Sequence, residues 1–226
     1  MSEAETGIWE QDALGPDLPR GEVHIWRAEV DTWEGSDDDL SDEERARAAR
    51  FRFDRDRRRW TAAHLLVRRV LARYLSAAPA EIALGADENG RPLVLWPSEA
   101  TWLCFSLSHA GNVALVAVTR EQGVGVDVEE LRSDVDAVAV AERAFGDAVA
   151  SALAGEPEPV RTQRFFEVWT REEARGKCRG TGLLEPDDAR RLEAAEVTDL
   201  EMGHRYVAAV AGSHRPGGVR TCLVAL

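Results

Sequence analysis

The chain has 226 residues, 44% hydrophobic and 31% charged, which suits a globular protein with one large core or two smaller ones. A formal net charge of −13 argues against nucleic acid as the main partner, and no apolar run approaches the roughly 18 residues a membrane helix needs. The first 22 residues lack a signal peptide's basic-then-apolar order, and three scattered cysteines fit neither a zinc spacing nor a disulfide framework, so a cytoplasmic protein with reduced thiols is expected.

After the acidic extension 1–22, Val23 to Val30 reads as a strand. Ser41-Asp-Glu-Glu44 is a capping box opening a helix to about Phe51. A longer helix is predicted from Arg57 to Leu75, with Leu65, Leu66, Val70, Leu71 and Tyr74 on one stripe. This stretch is unusual in charge. Residues 45–73 hold eleven arginines against Asp54 and Asp56, a local +9 that leaves −22 on the remainder. Such a basic island suits an anionic ligand, or forms a solvated helix face. Asn89-Gly90 marks a turn before the strand Pro92 to Trp96. Cys104–Ser108 and Val113–Thr119 pair across Ala110-Gly111-Asn112, and Val124 to Glu129 is the next strand. Helices follow at Val135–Ala144, Ala148–Ala154 and Pro159–Arg179, the last stopped by Gly180 and Gly182. Strands are expected at Ala195–Thr198, Arg205–Ala211 and Val219–Val224.

Three constellations carry chemistry. In Gly123-Val-Gly-Val-Asp-Val-Glu129 strict alternation buries the valines and places Asp127 and Glu129 together on the other side, roughly 7 Å apart at Cα. Two such carboxylates suit a hard cation such as Mg²⁺, which shares its oxygen ligands with phosphates; an ordinary acidic strand face has the same pattern. In the long third helix Phe165, Trp169, Glu173 and Lys177 recur every four residues and form one row. Lys177 is the chain's single lysine among 28 basic residues. A compact ammonium matches a phosphate oxygen, so Glu173 completes a three-carboxylate metal site while Lys177 meets the anion, unless the two form a plain intrahelical pair. In Phe105-Ser-Leu-Ser-His-Ala-Gly111 neighbouring strand residues point apart, and the chain has no Gly-x-Ser-x-Gly elbow, so Ser108 and His109 suit ligand phosphate better than a nucleophile–base pair. A purely structural histidine is the alternative.

These pieces together resemble one family, the 4′-phosphopantetheinyl transferases of the larger, surfactin-synthetase-activating type. The resemblance spans residues 45–185, through Ala49-Arg-Phe-Arg-Phe53 and Arg57-Arg-Arg-Trp60, Asn89-Gly-Arg-Pro92, the Phe105–Gly111 and Gly123–Glu129 runs, and Trp169-Thr-Arg-Glu-Glu-Ala-Arg-Gly-Lys177. It implies an α+β monomer of two similar halves with pseudo-twofold symmetry, 23–120 and 121–226, and a ligand cleft between them. It further implies transfer of the 4′-phosphopantetheine arm of coenzyme A to a serine of an apo acyl or peptidyl carrier protein, releasing 3′,5′-ADP. By the same resemblance Asp127, Glu129 and Glu173 hold Mg²⁺, Glu173 accepts the serine proton, and Lys177 neutralises phosphoryl charge. Ser108 and His109 become phosphate ligands, Arg91 and Pro92 lie beside the adenine, and Arg47, Arg50 and Arg59 bind the nucleotide.

Glu172 stands where the family commonly has lysine. It lies about 100° around the helix from Glu173 and is expected to face solvent. Two other classes use the same residues: an Mg²⁺-dependent hydrolase of a nucleotide diphosphate, and a non-catalytic carrier-binding homologue, for which Glu172 is the hint. Docking of a carrier is expected on apolar residues near Phe145.

Overall fold

A computed structural model describes residues 10–11, 15–120, 123–180, 195–212 and 218–226. In chain order the elements are β1 (Glu10–Gln11), β2 (Val23–Glu29), α1 (Asp42–Ala48), α2 (Asp54–Tyr74), β3 (Ala83–Ala86), β4 (Pro92–Trp96), β5 (Leu103–Ala110) and β6 (Val113–Arg120). There follow β7 (Val124–Glu130), α3 (Ala137–Phe145), α4 (Asp147–Ala154), α5 (Val160–Arg179), β8 (Glu196–Leu200), β9 (Tyr206–Gly212) and β10 (Val219–Leu223).

The protein is α+β, and its two halves repeat one topology. In the first, β2, α2, β5 and β6 follow in sequence, and the last strand pairs between the other two, β2–β6–β5. In the second, β7, α5, β8 and β9 do the same, with spatial order β7–β9–β8. All four of these pairings are antiparallel. The β3–β4 hairpin is inserted after α2, and α3 and α4 precede α5. At the end of the chain β10 pairs in parallel with β2, and β1 with β10, so the last strand belongs to the sheet of the first half.

Alternation along the strands dictates the layers. Trp26, Ala28, Val116 and Val118 face the apolar stripe of α2, Ala62, Ala63, Leu66 and Val70. Val23, Ile25, Leu115 and Ala117, on the opposite face, meet Val124, Val126 and Val128 of β7 and Ala208 and Val210 of β9. The remaining face of β9 offers Ala209 and Ala211, small enough to let Ala174 of α5 pack closely. The order is therefore helix, sheet, sheet, helix, and the apolar layer between the two sheets is shared by both halves.

The sequence signals act as expected at several ends. Ser41 Oγ accepts from the Glu44 amide at 3.2 Å, and Glu44 Oε2 returns to the Ser41 amide at 2.9 Å, closing the capping box. Gly180, at φ +75°, ends α5 in the left-handed conformation that costs glycine little. α1 is shorter than expected and stops at Ala48, while α2 begins earlier, at Asp54. β1 and β3 carry no sequence pattern that announces them: β3 reads Ala-Leu-Gly-Ala. Gly182 lies outside the described residues. Among those residues no helix is long and apolar enough to cross a membrane.

Candidate active site

The site forms where the edge of β7 meets the face of β5. β7 is the outer strand of its sheet, so the amides of Val126 and Val128 have no strand partner on that side. Ser106 and Ser108 rise from the β5 face and accept them, at 3.1 and 3.3 Å. The two halves are thus stitched by serine hydroxyls, which satisfy buried amides that would otherwise cost about 1–3 kcal/mol each. Ser108 Oγ also donates to Asp127 Oδ1 at 2.8 Å.

The other face of β7 is not open to solvent, contrary to the simple alternation of Gly125, Asp127 and Glu129. It is covered by α5, and Asp127 is only 4% exposed. Gly125 makes this possible. A Cβ there would stand 2.0 Å from the Ala174 carbonyl oxygen and 2.5 Å from the Cys178 amide nitrogen, so only glycine lets the helix backbone approach. The approach carries Lys177 across the gap, where Nζ donates to Asp127 Oδ1 at 2.7 Å and to the Val126 carbonyl at 3.1 Å. The ammonium therefore pairs with the strand carboxylate across the sheet–helix gap.

Electrostatics follow from crowding acids under a helix. Burial and then the Asp127 charge push Glu129 up to about 7. Glu173, half-buried, is raised for the same two reasons, while Lys177 pulls both back down. Asp127 Oδ2 is buried with no hydrogen-bond partner. A buried, unsatisfied acceptor beside two carboxyls that resist ionisation is a donor set suited to a hard divalent cation. As placed, however, no group of three or more His, Cys, Asp or Glu side chains among the described residues is arranged to hold a metal ion. Glu172 turns away from this cluster and pairs with Arg175 one turn on.

Beside the cluster lies a cavity of about 580 Å³ between the halves. The first half contributes Arg47, His64, Arg91 and Pro92 to its wall, the second Gly176, Lys177 and Gly180. Arg47 is additionally laid over Trp60, 5.6 Å from the ring centroid, and Arg91 is held by Asp87 at 3.1 Å. The other sequence-predicted ligands are placed differently. Ser108 spends its hydroxyl on Asp127 and Val128. His109 is on the α2 face of β5, where desolvation first, and then the charges of His64, Lys177 and Arg59, lower its pKa. Arg59 makes a bidentate pair with Asp31 at 2.7 and 2.6 Å. Arg50 is exposed beyond the end of α1.

Sequence reasoning missed the role of Ser106, whose hydroxyl carries the second stitch between the halves, and did not name α5 as what approaches Gly125, although a glycine there was read as leaving room for a close backbone contact. Glycine between alternating valines was the available signal for a close backbone approach; its target was not legible.

Two family models match the chain: 4′-phosphopantetheinyl transferase, N-terminal, over residues 24–121, and the 4′-phosphopantetheinyl transferase superfamily over residues 123–218. Among characterised proteins the chain is similar to the 4′-phosphopantetheinyl transferase HetI of Nostoc sp., 34% identical over 84% of this chain and 87% of that one. It is also similar to the 4′-phosphopantetheinyl transferase psf-1 of Bacillus pumilus, 33% identical over 64% of this chain and 59% of that one. The 4′-phosphopantetheinyl transferase Sfp of Bacillus subtilis is 27% identical over 66% of this chain and 64% of that one. The matches cover both repeats and the β7–α5 junction on which the carboxylates and the lysine stand, and the chain belongs to the 4′-phosphopantetheinyl transferase superfamily.

Proposed function

We propose that this protein, a cytoplasmic monomer, takes the 4′-phosphopantetheine arm from coenzyme A and transfers it to a serine of an apo acyl or peptidyl carrier protein. The observation that carries the reading is the junction of β7 and α5, where Lys177 reaches Asp127 at 2.7 Å on the rim of a cavity lined by Arg47 and Arg91. Three cationic side chains around a cavity of about 580 Å³ suit a multiply phosphorylated nucleotide such as coenzyme A. Pro92 offers an apolar edge for the adenine, and His109, Arg50 and Arg59, outside the cavity wall, are the further phosphate partners of this reading.

Asp127, through its unpartnered Oδ2, with Glu129 and Glu173, would hold Mg²⁺. Bound there, the ion would supply charge neutralisation at the diphosphate. Phosphoryl transfer asks the protein mainly for positioning and electrostatic stabilisation. Lys177, reaching over the strand edge, faces the charge that builds on the phosphoryl oxygens. Glu173 accepts the proton of the attacking serine hydroxyl, and its raised pKa makes it a better base than an ordinary carboxylate. The new serine oxygen–phosphorus bond forms as the bond to the leaving nucleotide breaks, and 3′,5′-ADP departs.

The test combines the protein with coenzyme A, Mg²⁺ and an apo carrier, read by intact mass. A carrier gain of one phosphopantetheine supports the transferase. Free phosphopantetheine without carrier modification would make the protein a hydrolase, and no turnover would make it a binder. Glu173→Gln is expected to lower kcat by roughly 10²–10⁴-fold, the usual worth of a general base, while Glu172→Gln changes it less than about threefold, since the half-buried Glu172–Arg175 pair lies within one helix and turns away from the carboxylate cluster. Equal losses would move the base elsewhere.

A further inference from the structure

We infer that the corner between α1 and α2 is the surface on which the carrier protein docks, and that it receives an acidic face of that partner; the identity of the occupant rests on the transferase reading above. The corner is the run Arg50-Phe-Arg-Phe53, outside both helices. Phe53 is 58% exposed and Phe51 37%, two of only five large hydrophobics so exposed among the described residues. Neither is loose. Phe51 rests against Trp60 with ring centroids 5.9 Å apart, and the Arg52 guanidinium lies over Phe53 at 5.3 Å. Rigid aromatics with an arginine laid across them are the residue types that anchor protein interfaces.

The charge around them selects the partner. Arg52 and Arg58 have no carboxylate bonded to them among the described residues, whereas Arg57 is held by Asp54 and Arg59 by Asp31. This corner lies within the arginine-rich stretch, whose local +9 is offset in the fold where Asp42, Asp31, Glu44 and Asp39 pair with Arg45, Arg59, Arg68 and Arg69 and leave Arg52 and Arg58 to the corner. An acidic carrier is repelled by most of the surface and attracted here, which steers its approach. A concavity of about 300 Å³ beside the corner has Trp33, Ala48 and Ala49 in its floor and, at its rim, Arg45, Arg57 and Arg58 against the single carboxylate of Asp37.

Placement fits transfer. Phe53 is six residues before Arg59 on α2, about 9 Å by helix rise. Arg59 in turn lies in the electrostatic neighbourhood of His109 and Glu130 at the end of β5 and β7. The region near Phe145, expected from sequence to dock the partner, is less available: Phe145 is half-buried, packed edge-on against Trp169 at 6.0 Å.

Steady-state transfer to an apo carrier, measured for wild type, Phe53→Ser and Arg52→Glu, tests this. Each variant is expected to raise the carrier KM about tenfold with the coenzyme A KM unchanged, as for loss of one interface anchor. The wild-type carrier KM should climb between 50 and 300 mM salt, and Arg52→Glu should flatten that climb. Melting temperatures within about 2 °C of wild type confirm folding, since both side chains are exposed. An unchanged carrier KM in both variants overturns the docking surface while leaving the transferase intact. A single-stranded RNA 20-mer shifted by wild type but not by Phe53→Ser, with carrier KM unaltered, would assign the corner to nucleic acid instead. Failure of the wild type to modify any carrier removes the transferase reading and this partner with it.

Discussion

At the scale of single residues the site depends on which groups hold Asp127. Its Oδ1 accepts from Ser108 and Lys177, and Ser108 simultaneously takes the Val128 amide. Sequence alone made Asp127 and Glu129 a pair on an open strand face, because alternation reports which residues share a side and not what covers that side. It likewise made Ser108 a phosphate ligand, since a hydroxyl at a strand end fits an anion as well as it fits a neighbouring carboxylate. The structure makes Ser108 a link between the halves, and Ser106 a matched control: it accepts the Val126 amide and has no contact with Asp127 among the described residues. Ser108→Ala and Ser106→Ala should each leave a buried amide unpaired and cost about 1–3 kcal/mol of stability. Ser108→Ala should in addition reduce kcat by at least tenfold more than Ser106→Ala, because only it frees the carboxylate. Denaturant titration with turnover under saturating coenzyme A separates the two effects. Matched kcat values would assign Ser108 a purely structural part.

At the scale of elements, the periodicities that announce α2 and α5 were legible because each helix buries one stripe, and the capping box and Gly180 marked their ends. The valines of β7 were legible for the same reason. What the sequence could not express is that α5 crosses β7 over a glycine. At Gly125 a Cβ would meet the Ala174 carbonyl oxygen at 2.0 Å, a backbone atom that cannot swing aside. Gly125→Ala should therefore push α5 off the sheet, at a cost of about 3 kcal/mol or more, and lower Tm by about 10 °C. Because the helix carries Glu173 and Lys177, transfer should be lost even below the new Tm. Gly155→Ala is the control. Its φ is −74° and its nearest prospective neighbour is 3.6 Å away, so Tm should hold or rise slightly. Calorimetry of both variants decides the point: similar Tm values would mean that α5 does not need the close approach.

At the scale of the whole molecule, the repeated strand–helix–strand–strand order was legible only through the family resemblance; local patterns gave the pieces without saying which sheet each joins. β10 illustrates the limit, since nothing in Val219–Leu223 distinguishes a strand of its own half from one returning to β2. The arginine-rich first half is tied together in a comparable long-range way, through Glu44. This carboxylate closes the α1 capping box, accepts from Arg68 of α2 at 2.6 Å and contacts His64 at 3.3 Å. Burial works against its ionisation, yet the hydrogen bonds from His64, the Ser41 amide and Arg68 hold its pKa down to about 2, from 4.5. The sign follows directly. Above pH 4.5 Glu44 is ionised in both states, and its stabilisation is complete. As pH falls toward 2 the unfolded chain takes up the proton first, and stability drains away, by at most about 3 kcal/mol for a shift of this size. Glu44→Gln should consequently be less stable than wild type at pH 6, with the gap closing as pH is lowered to 3. Urea midpoints measured across that range test it. A gap independent of pH would show that Glu44 acts through neutral hydrogen bonds, and that the two helices of the basic half do not depend on its charge.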